Sequence, residues 1–321
     1  MQLQKLAGNT GFKQVVTNLL KTGLLPHAVL LTAPDGCGRG YAARLLAADY
    51  LHPAGGAEAD AVLREESPEL LVVRGEGKSG QIPVDRVRAV RQKVHYSSLS
   101  AGGRVVWICD AHMMAAPAAN ALLKVLEEPP PGVLFILTTR DASQLPLTIA
   151  SRCALYALSP VSVQECEDAL RQHMPPEADD DLPALLSAVY GGGIGLGLRV
   201  LREEGRLRIL RDALAAAEAA GQGNRYSLLR FFSAYESRAD GEKENRDMFL
   251  SDFAAVLEAS LRGTSLRGVP ALAPALAAHL LVPLQQARTA LRGNAAPKIT
   301  LTALAVQLGN QQKIQARKLS I

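Results

Sequence analysis

The chain has 321 residues, which at about 150 residues per domain allows two domains and a small third one. Hydrophobic residues make up 48% and charged residues 21% of the chain, and the net charge is +4, so collagen-like, low-complexity and wholly disordered classes are excluded. With 6 Phe, 7 Tyr and 1 Trp, the chain has too few aromatic rings for stacking on single-stranded nucleic acid to be its main binding device.

Short apolar runs alternate with longer amphipathic stretches through the first half of the chain. This pattern predicts strands at 28–32, 69–73, 104–109, 132–138 and 154–156, and helices at 41–51, 83–96 and 116–128. Runs that are apolar on both faces are typical of strands covered on both sides. The sequence therefore predicts a parallel sheet in a doubly wound α/β module that ends near residue 158.

Helical periodicity replaces the strand pattern beyond residue 159. Residues recur at three- and four-residue spacing through 207–220 and 247–261, which predicts helices there. The glycine-rich segment 191–197 is expected to interrupt a short helical module, and 221–224 and 239–245 are expected to be loops. The apolar run 269–284 contains three prolines and is shorter than the ~20 residues that span a bilayer, so it predicts a buried helical segment.

The four cysteines lie far apart and form no Cys-x-x-Cys pair, which gives a zinc site little support. We expect buried thiols at Cys37, Cys109, Cys153 and Cys166. The first residues have neither a charged segment followed by an apolar one nor a cleavage site of small residues. We therefore expect a cytoplasmic protein.

A strand, a glycine-containing loop and a helix follow one another at residues 28–51, which is the context of a phosphate-binding loop. Compared with the pattern G-x-x-x-x-G-K-[ST], Gly38 is retained and Ala33 replaces the first glycine. Arg39 stands for the lysine, and Gly40 replaces the hydroxyl residue that holds magnesium. Gly36 and Gly38 leave the backbone free to turn amides toward an anion, so the loop predicts a degenerate nucleotide site, with a plain glycine turn as the alternative.

The third predicted strand runs into Asp110-Ala111, where a P-loop hydrolase carries Asp-Glu. An aspartate there holds magnesium through water, but the glutamate that polarises the attacking water is absent. His112 is either a substitute base or a structural histidine. Hydrolysis by this chain is not expected. The candidate residues of the degenerate site are Pro34, Gly36, Gly38, Arg39 and Asp110.

Three segments of the chain resemble the bacterial DNA polymerase III clamp-loader subunits, which belong to the AAA+ group. They are Leu25-Pro-His-Ala28 before the first strand, Asn120–Pro130 on the helix before the fourth, and Ser151-Arg-Cys153 after it. The Asn120 segment is highly specific, whereas Ser-Arg-Cys alone would occur by chance. The resemblance implies an AAA+ module at 1–158, a helical lid at 159–203 and a C-terminal helical collar at 204–321 that oligomerises.

Within that family, the degenerate loop resembles the non-hydrolysing branch. Gly195 stands where active members carry a nucleotide-sensing arginine, and Leu291–Lys298 is similar to the closing segment of the family's collar. Many members of the branch insert a cysteine-rich zinc module, but 49–68 contains no cysteine, so no metal is expected.

The resemblance assigns Arg152 a role in trans. In family members this arginine projects into the nucleotide held by the adjacent subunit, and a guanidinium there accelerates phosphoryl transfer by about 10³ to 10⁵. The alternative is a surface or helix-capping arginine. Thr138 and Thr139 occupy the sensor-1 region in family terms, with a vestigial role. The implied interface residues are Ser151, Cys153, Asn120, Lys124, Glu127 and Glu128.

The resemblance also implies partners in DNA replication. These are the clamp-loader ATPase subunits, the delta subunit, the sliding clamp and, through the complex, primed DNA, within a DNA-directed DNA polymerase holoenzyme. No membrane partner is implied. ATP and magnesium would be bound by the neighbouring subunit, and no cofactor is expected in this chain.

Two other functions remain open at this stage. One is an active AAA+ ATPase, either a clamp-loader ATPase or a branch-migration motor, in which Arg39 substitutes for lysine. The other is a DNA-binding module that uses residues 263–321, although a solvated helical face explains the same charges. That stretch has no Asp or Glu, and its basic residues are Arg267, Arg288, Arg292, Lys298, Lys313, Arg317 and Lys318.

Overall fold

The structure is a computed structural model that describes residues 1–77, 80–96, 103–175, 179–237, 239, 241–263 and 268–318. The chain forms two compact units, Met1–Val161 and Ser162–Ile321. Val161 lies slightly beyond the boundary at 158 that the sequence predicts. The further division into a lid and a collar stays a prediction.

The first unit is built on a five-stranded sheet in which every adjacent pair of strands is parallel. The strand order is β2-β3-β4-β1-β5. The predicted α/β fold class is confirmed. The strands are β1 (Ala28–Thr32), β2 (Leu70–Val73), β3 (Arg104–Ile108), β4 (Val133–Thr139) and β5 (Ala154–Ala157).

Helices cover both faces of this sheet. The α-helices of the first unit are α1 (Thr10–Thr22), α2 (Arg39–Leu51), α3 (Ala57–Leu63), α4 (Val84–Tyr96), α5 (Ala116–Glu127) and α6 (Leu147–Ala150). One buried cluster joins α1, α2 and α3 to the sheet, and a second joins α4, α5 and α6 to its opposite face. Because β1, β3 and β4 are almost wholly buried between these layers, their apolar runs show no polar alternation.

The second unit is helical. Its helices are α7 (Val163–Arg171), α8 (Leu182–Tyr190), α9 (Ile194–Arg202), α10 (Arg206–Gly221), α11 (Arg225–Ser233), α12 (Glu242–Leu261), α13 (Pro274–Arg292) and α14 (Pro297–Lys318). α12 starts three residues before the end of the predicted loop 239–245, whose residue 240 lies outside the described part. Arg267 also lies outside it, as do the side chains of Lys313, Arg317 and Lys318.

The predicted break at 191–197 is wrong in its second half, because α9 begins at Ile194. Gly197 lies inside this helix, where a Cβ would come 2.8 Å from the nearest methyl carbon of Leu170 on α7. The glycine therefore permits close packing of α7 and α9. Within 191–197, only Gly191 and Gly192, at φ 56° and 86°, have backbone angles that favour glycine over other residues.

A buried polar cluster ties three helices of the second unit together. Asp252 of α12 is 1% exposed and accepts hydrogen bonds from Arg206 of α10, at 2.7 Å for Nη2, and from the Tyr190 hydroxyl at the end of α8, at 2.8 Å. Burial lowers the pKa of Arg206, but its pairing with Asp252 outweighs burial and holds that pKa above its ordinary value. The cluster fixes α8 against α10 and α12.

Candidate functional site

The degenerate loop joins β1 to α2 at the carboxyl edge of the sheet. Gly36 and Gly38 take φ angles of 80° and 81°, which L-residues with side chains rarely adopt, so both glycines are required by the turn. Gly38 caps α2, and its carbonyl accepts from the amide of Ala42 at 2.8 Å. Pro34 is exposed, and its carbonyl accepts from the Cys37 amide at 3.3 Å.

Arg39 is held within the loop by three acceptors. Its Nη1 donates to Asp35 Oδ1 at 2.9 Å and to the Ala33 carbonyl at 3.2 Å, and its Nη2 donates to Asp110 Oδ1 at 2.8 Å. The side chain is 15% exposed. Burial lowers the pKa of Arg39, but the hydrogen bonds that its guanidinium donates to Asp110 and Asp35 outweigh burial and raise that pKa above its ordinary value. The charge that would face a phosphate is therefore neutralised by two carboxylates of the same chain.

The pairing extends to a second arginine. Asp35 also pairs with Arg140, which follows β4, at 2.9 Å from Nη2 to Oδ2. Asp110, at the end of β3, has φ 47° and ψ 56°, a left-handed backbone that is unusual for a residue with a side chain. Its amide donates to the Thr138 hydroxyl at 3.2 Å. The carboxyl ends of β1, β3 and β4 are thus joined by one network.

The residues that would handle a magnesium triphosphate do not fit that ligand. Gly40 supplies no hydroxyl to a metal ion, and a Cβ there would be in ordinary van der Waals contact with Trp107 Cζ2, at 3.4 Å. Ala111 is 1% exposed and carries no base. His112 Nδ1 is 3.2 Å from the Thr139 hydroxyl, and burial lowers the pKa of this imidazole. Within the described part of the chain, no three His, Cys, Asp or Glu side chains group as metal ligands.

Arg152 lies in the turn between α6 and β5, and its side chain is 37% exposed. Nη1 donates to the Thr148 carbonyl at 2.9 Å, and Nη2 pairs with Glu127 Oε1, at the end of α5, at 2.7 Å. The guanidinium is thus oriented from both sides but remains accessible to solvent. Ser151 is exposed beside it, whereas Cys153 is half-buried and burial raises the pKa of its thiol to about 11.

Three of the implied interface residues share one exposed side of α5, and Glu128 directly follows the last residue of that helix. Asn120, Lys124, Glu127 and Glu128 are exposed, whereas Leu122, Val125 and Leu126 are buried against the sheet. His27, in the segment before β1, has a structural role. Its Nε2 lies 3.1 Å from the Leu126 carbonyl and fixes the end of α5.

Leu147, at the first position of α6, is an interface candidate that sequence reasoning missed. Its side chain is 82% exposed on the same short helix whose Thr148 carbonyl holds Arg152. An apolar residue directly after Pro146, outside any buried periodicity, was the available signal.

The loop and Arg152 lie at opposite edges of the sheet. β1 and β5 are adjacent and parallel, with Val29 opposite Ala154 and Thr32 opposite Ala157. The loop follows the carboxyl end of β1, whereas Arg152 precedes the amino end of β5. At ~3.3 Å per residue, the four residues of β5 separate the two edges by about 13 Å. The structure brings Arg39 to Asp110 and Arg152 to Glu127, but it keeps these two pairs apart.

No described helix combines the length and the apolarity needed to cross a bilayer. Of the four cysteines, Cys166 is buried, whereas Cys37, Cys109 and Cys153 are only partly so. The sequence predicted that all four thiols would be buried, and for these three the burial is only partial.

Residues 8–162 match the family model described as DNA polymerase III, delta subunit. The chain is 35% identical over 164 residues to the DNA polymerase III subunit delta' of Escherichia coli, covering 50% of this chain and 48% of that one. It is 33% identical over 180 residues to the subunit gamma of Buchnera aphidicola, covering 53% and 49%. The chain thus spans about half the length of these curated relatives.

Among solved structures, the fold is similar to a DNA polymerase III gamma subunit-related protein from Thermotoga maritima. The TM-score is 0.51 at 17% sequence identity, and the likeness covers 92% of this chain and 99% of that one. At this identity the likeness supports the fold alone.

Proposed function

We propose that this chain, which matches the DNA polymerase III delta-subunit family model over residues 8–162 and is similar to a delta' subunit over half of its length, is a non-hydrolysing clamp-loader subunit. In this proposal it helps to place the sliding clamp on primed DNA during replication. It supplies Arg152 to the nucleotide of an adjacent ATPase subunit.

The observation that carries the proposal is the placement of Arg152 at the edge of the sheet opposite the chain's own loop. Across about 13 Å, this guanidinium serves a nucleotide only if another subunit presents it. Its exposure, together with that of Lys124 on α5 and Leu147 on α6, favours contact with a neighbour.

The chemistry of this arginine follows from its two partners. The Thr148 carbonyl holds one end of the guanidinium and leaves the other end paired with an exposed carboxylate, Glu127. A triphosphate from a neighbour outcompetes one carboxylate because it carries more charge and more acceptor oxygens. Arg152 then stabilises the negative charge that develops during phosphoryl transfer, and Glu127 is released to solvent.

The chain's own loop supports the non-hydrolysing half of the proposal. An incoming phosphate would have to displace Asp35 and Asp110 from Arg39, and it would find no hydroxyl at residue 40 and no glutamate at 111. The alternative of an active ATPase would need that network to open. We therefore assign ATP and magnesium to the neighbouring subunit, and no cofactor to this chain.

The partners we propose are the clamp-loader ATPase subunits and the delta subunit in direct contact, with the sliding clamp and primed DNA bound through the complex. Such a complex acts in the cytoplasm. The relatives that support it carry the names subunit delta' and subunit gamma of DNA polymerase III.

Reconstitution with the other clamp-loader subunits tests this function. We expect clamp loading on primed DNA, followed by retention of labelled clamp on a circular template, to require this chain and to fall to background when it is omitted. The full chain carrying Leu147→Asp, which places a charge at an exposed apolar position outside the buried core, should also lower loading. Full loading by the incomplete complex would refute the proposal.

A further inference from the structure

A pocket in the helical unit lies where α12 begins, α13 ends and α14 begins. Its volume is about 290 Å³. The pocket shares no residue with the degenerate loop or with the surroundings of Arg152, because all its lining residues lie in the second unit. The lining residues are Lys243, Arg246, Leu291, Asn294, Ala295 and Pro297.

Arg246 is a buried cation with no counter-charge among the residues that the structure describes. The residue is 5% exposed, and its Nη1 donates to the Ser237 carbonyl at 3.0 Å. Its Nε is buried and has no hydrogen-bond partner. No carboxylate of the described residues lies within ion-pair distance of this guanidinium. Because a buried charge is costly unless it is paired, this arrangement favours a bound anion.

The surroundings add positive potential. Lys243 lies almost one turn before Arg246 on α12, is exposed, and lines the same pocket. The pocket also meets the N-terminal end of the 22-residue α14, where free backbone amides carry partial positive charge. Glu242 and Glu244 lie in the same turn of α12 but are not among the residues that line the pocket.

We propose that this pocket binds a single phosphoryl group, as free phosphate or as the phosphate of a small ester. Two cations and a helix N-terminus match the two negative charges and several acceptor oxygens of a phosphate dianion. A lone carboxylate would balance one cation and leave the other unpaired. The apolar residues Leu291, Ala295 and Pro297 form a wall that suits the organic part of an ester. This inference is independent of the clamp-loading role.

Calorimetric titration of the full chain with inorganic phosphate tests the proposal, with adenosine monophosphate as a second arm that separates free phosphate from an ester. We expect one saturable site. Lys243→Gln should weaken binding at least tenfold, which is about 1.4 kcal/mol, because it removes a hydrogen bond between two charged groups. Arg199→Gln, the same charge change at an exposed position of α9, should leave the affinity unchanged.

Because Arg246 is buried, its replacement can unfold the unit, so the exposed Lys243 decides the outcome. Absence of saturable phosphate binding, or equal affinity in the parent chain and Lys243→Gln, would overturn the proposal. Competition by acetate at constant ionic strength, as strong as by sulfate, would also overturn it and would assign the pocket to a protein carboxylate.

Discussion

Replacement of Arg152 by alanine is expected to slow ATP hydrolysis at the adjacent subunit's site about a thousandfold in the reconstituted complex. The guanidinium supplies charge to the transferring phosphoryl group, and arginine fingers contribute ~10³ to 10⁵ in rate. The measurement is clamp- and DNA-stimulated ATPase under single-turnover conditions, in which the site that Arg152 serves should appear as a slow phase beside sites with their own arginines.

Arg171→Ala is the matched control for that substitution. Arg171 is also an exposed arginine, 2.7 Å from a carboxylate oxygen of Glu167, so its removal deletes a comparable ion pair on α7. Neither deletion should destabilise the chain by more than about 1 kcal/mol, because exposed pairs contribute little. Equal turnover by Arg152→Ala and Arg171→Ala complexes would remove the trans-acting role.

Asp252→Asn is expected to destabilise the helical unit by about 3–5 kcal/mol, because it leaves the buried Arg206 guanidinium without its counter-charge. The same change weakens the hydrogen bond from Tyr190. Urea unfolding followed by circular dichroism measures the effect. The transition of the helical unit should move to lower urea, and that of the α/β unit should stay in place.

Asp247→Asn provides the comparison on the same helix. Asp247 is exposed, so its substitution should change the free energy of unfolding by no more than about 0.5 kcal/mol. If Asp252→Asn cost no more than this control, the buried cluster would not be what holds α8 against α10 and α12.

The sheet could be predicted from the sequence because its strands are continuous apolar runs with clear ends. The predicted strand at 28–32 coincides with β1, and that at 132–138 is shifted by one residue from β4. α1 and α3 were not predicted. In α9, two glycines suggested a break, but one of them permits close contact with Leu170, and tertiary packing overrode the local preference.

The sequence could predict which residues belong to the site, but not which of them contact one another. Local pattern selected Arg39 and Asp110, but their ion pair joins residues 71 positions apart and depends on the order of the strands. Asp35 gave no signal as a partner of Arg39, because aspartate is an ordinary loop residue. Arg246 of the pocket was missed for a similar reason, since its isolation depends on which side chains the fold keeps away from it.

ATP turnover by the isolated chain tests most directly whether its own loop lacks ATPase activity, as the assignment of Arg152 to a neighbouring subunit's site requires. We expect no magnesium-dependent release of phosphate above the buffer rate from the parent chain, and the same result from Arg39→Ala. Steady turnover by the parent chain that is lost in Arg39→Ala would contradict the account.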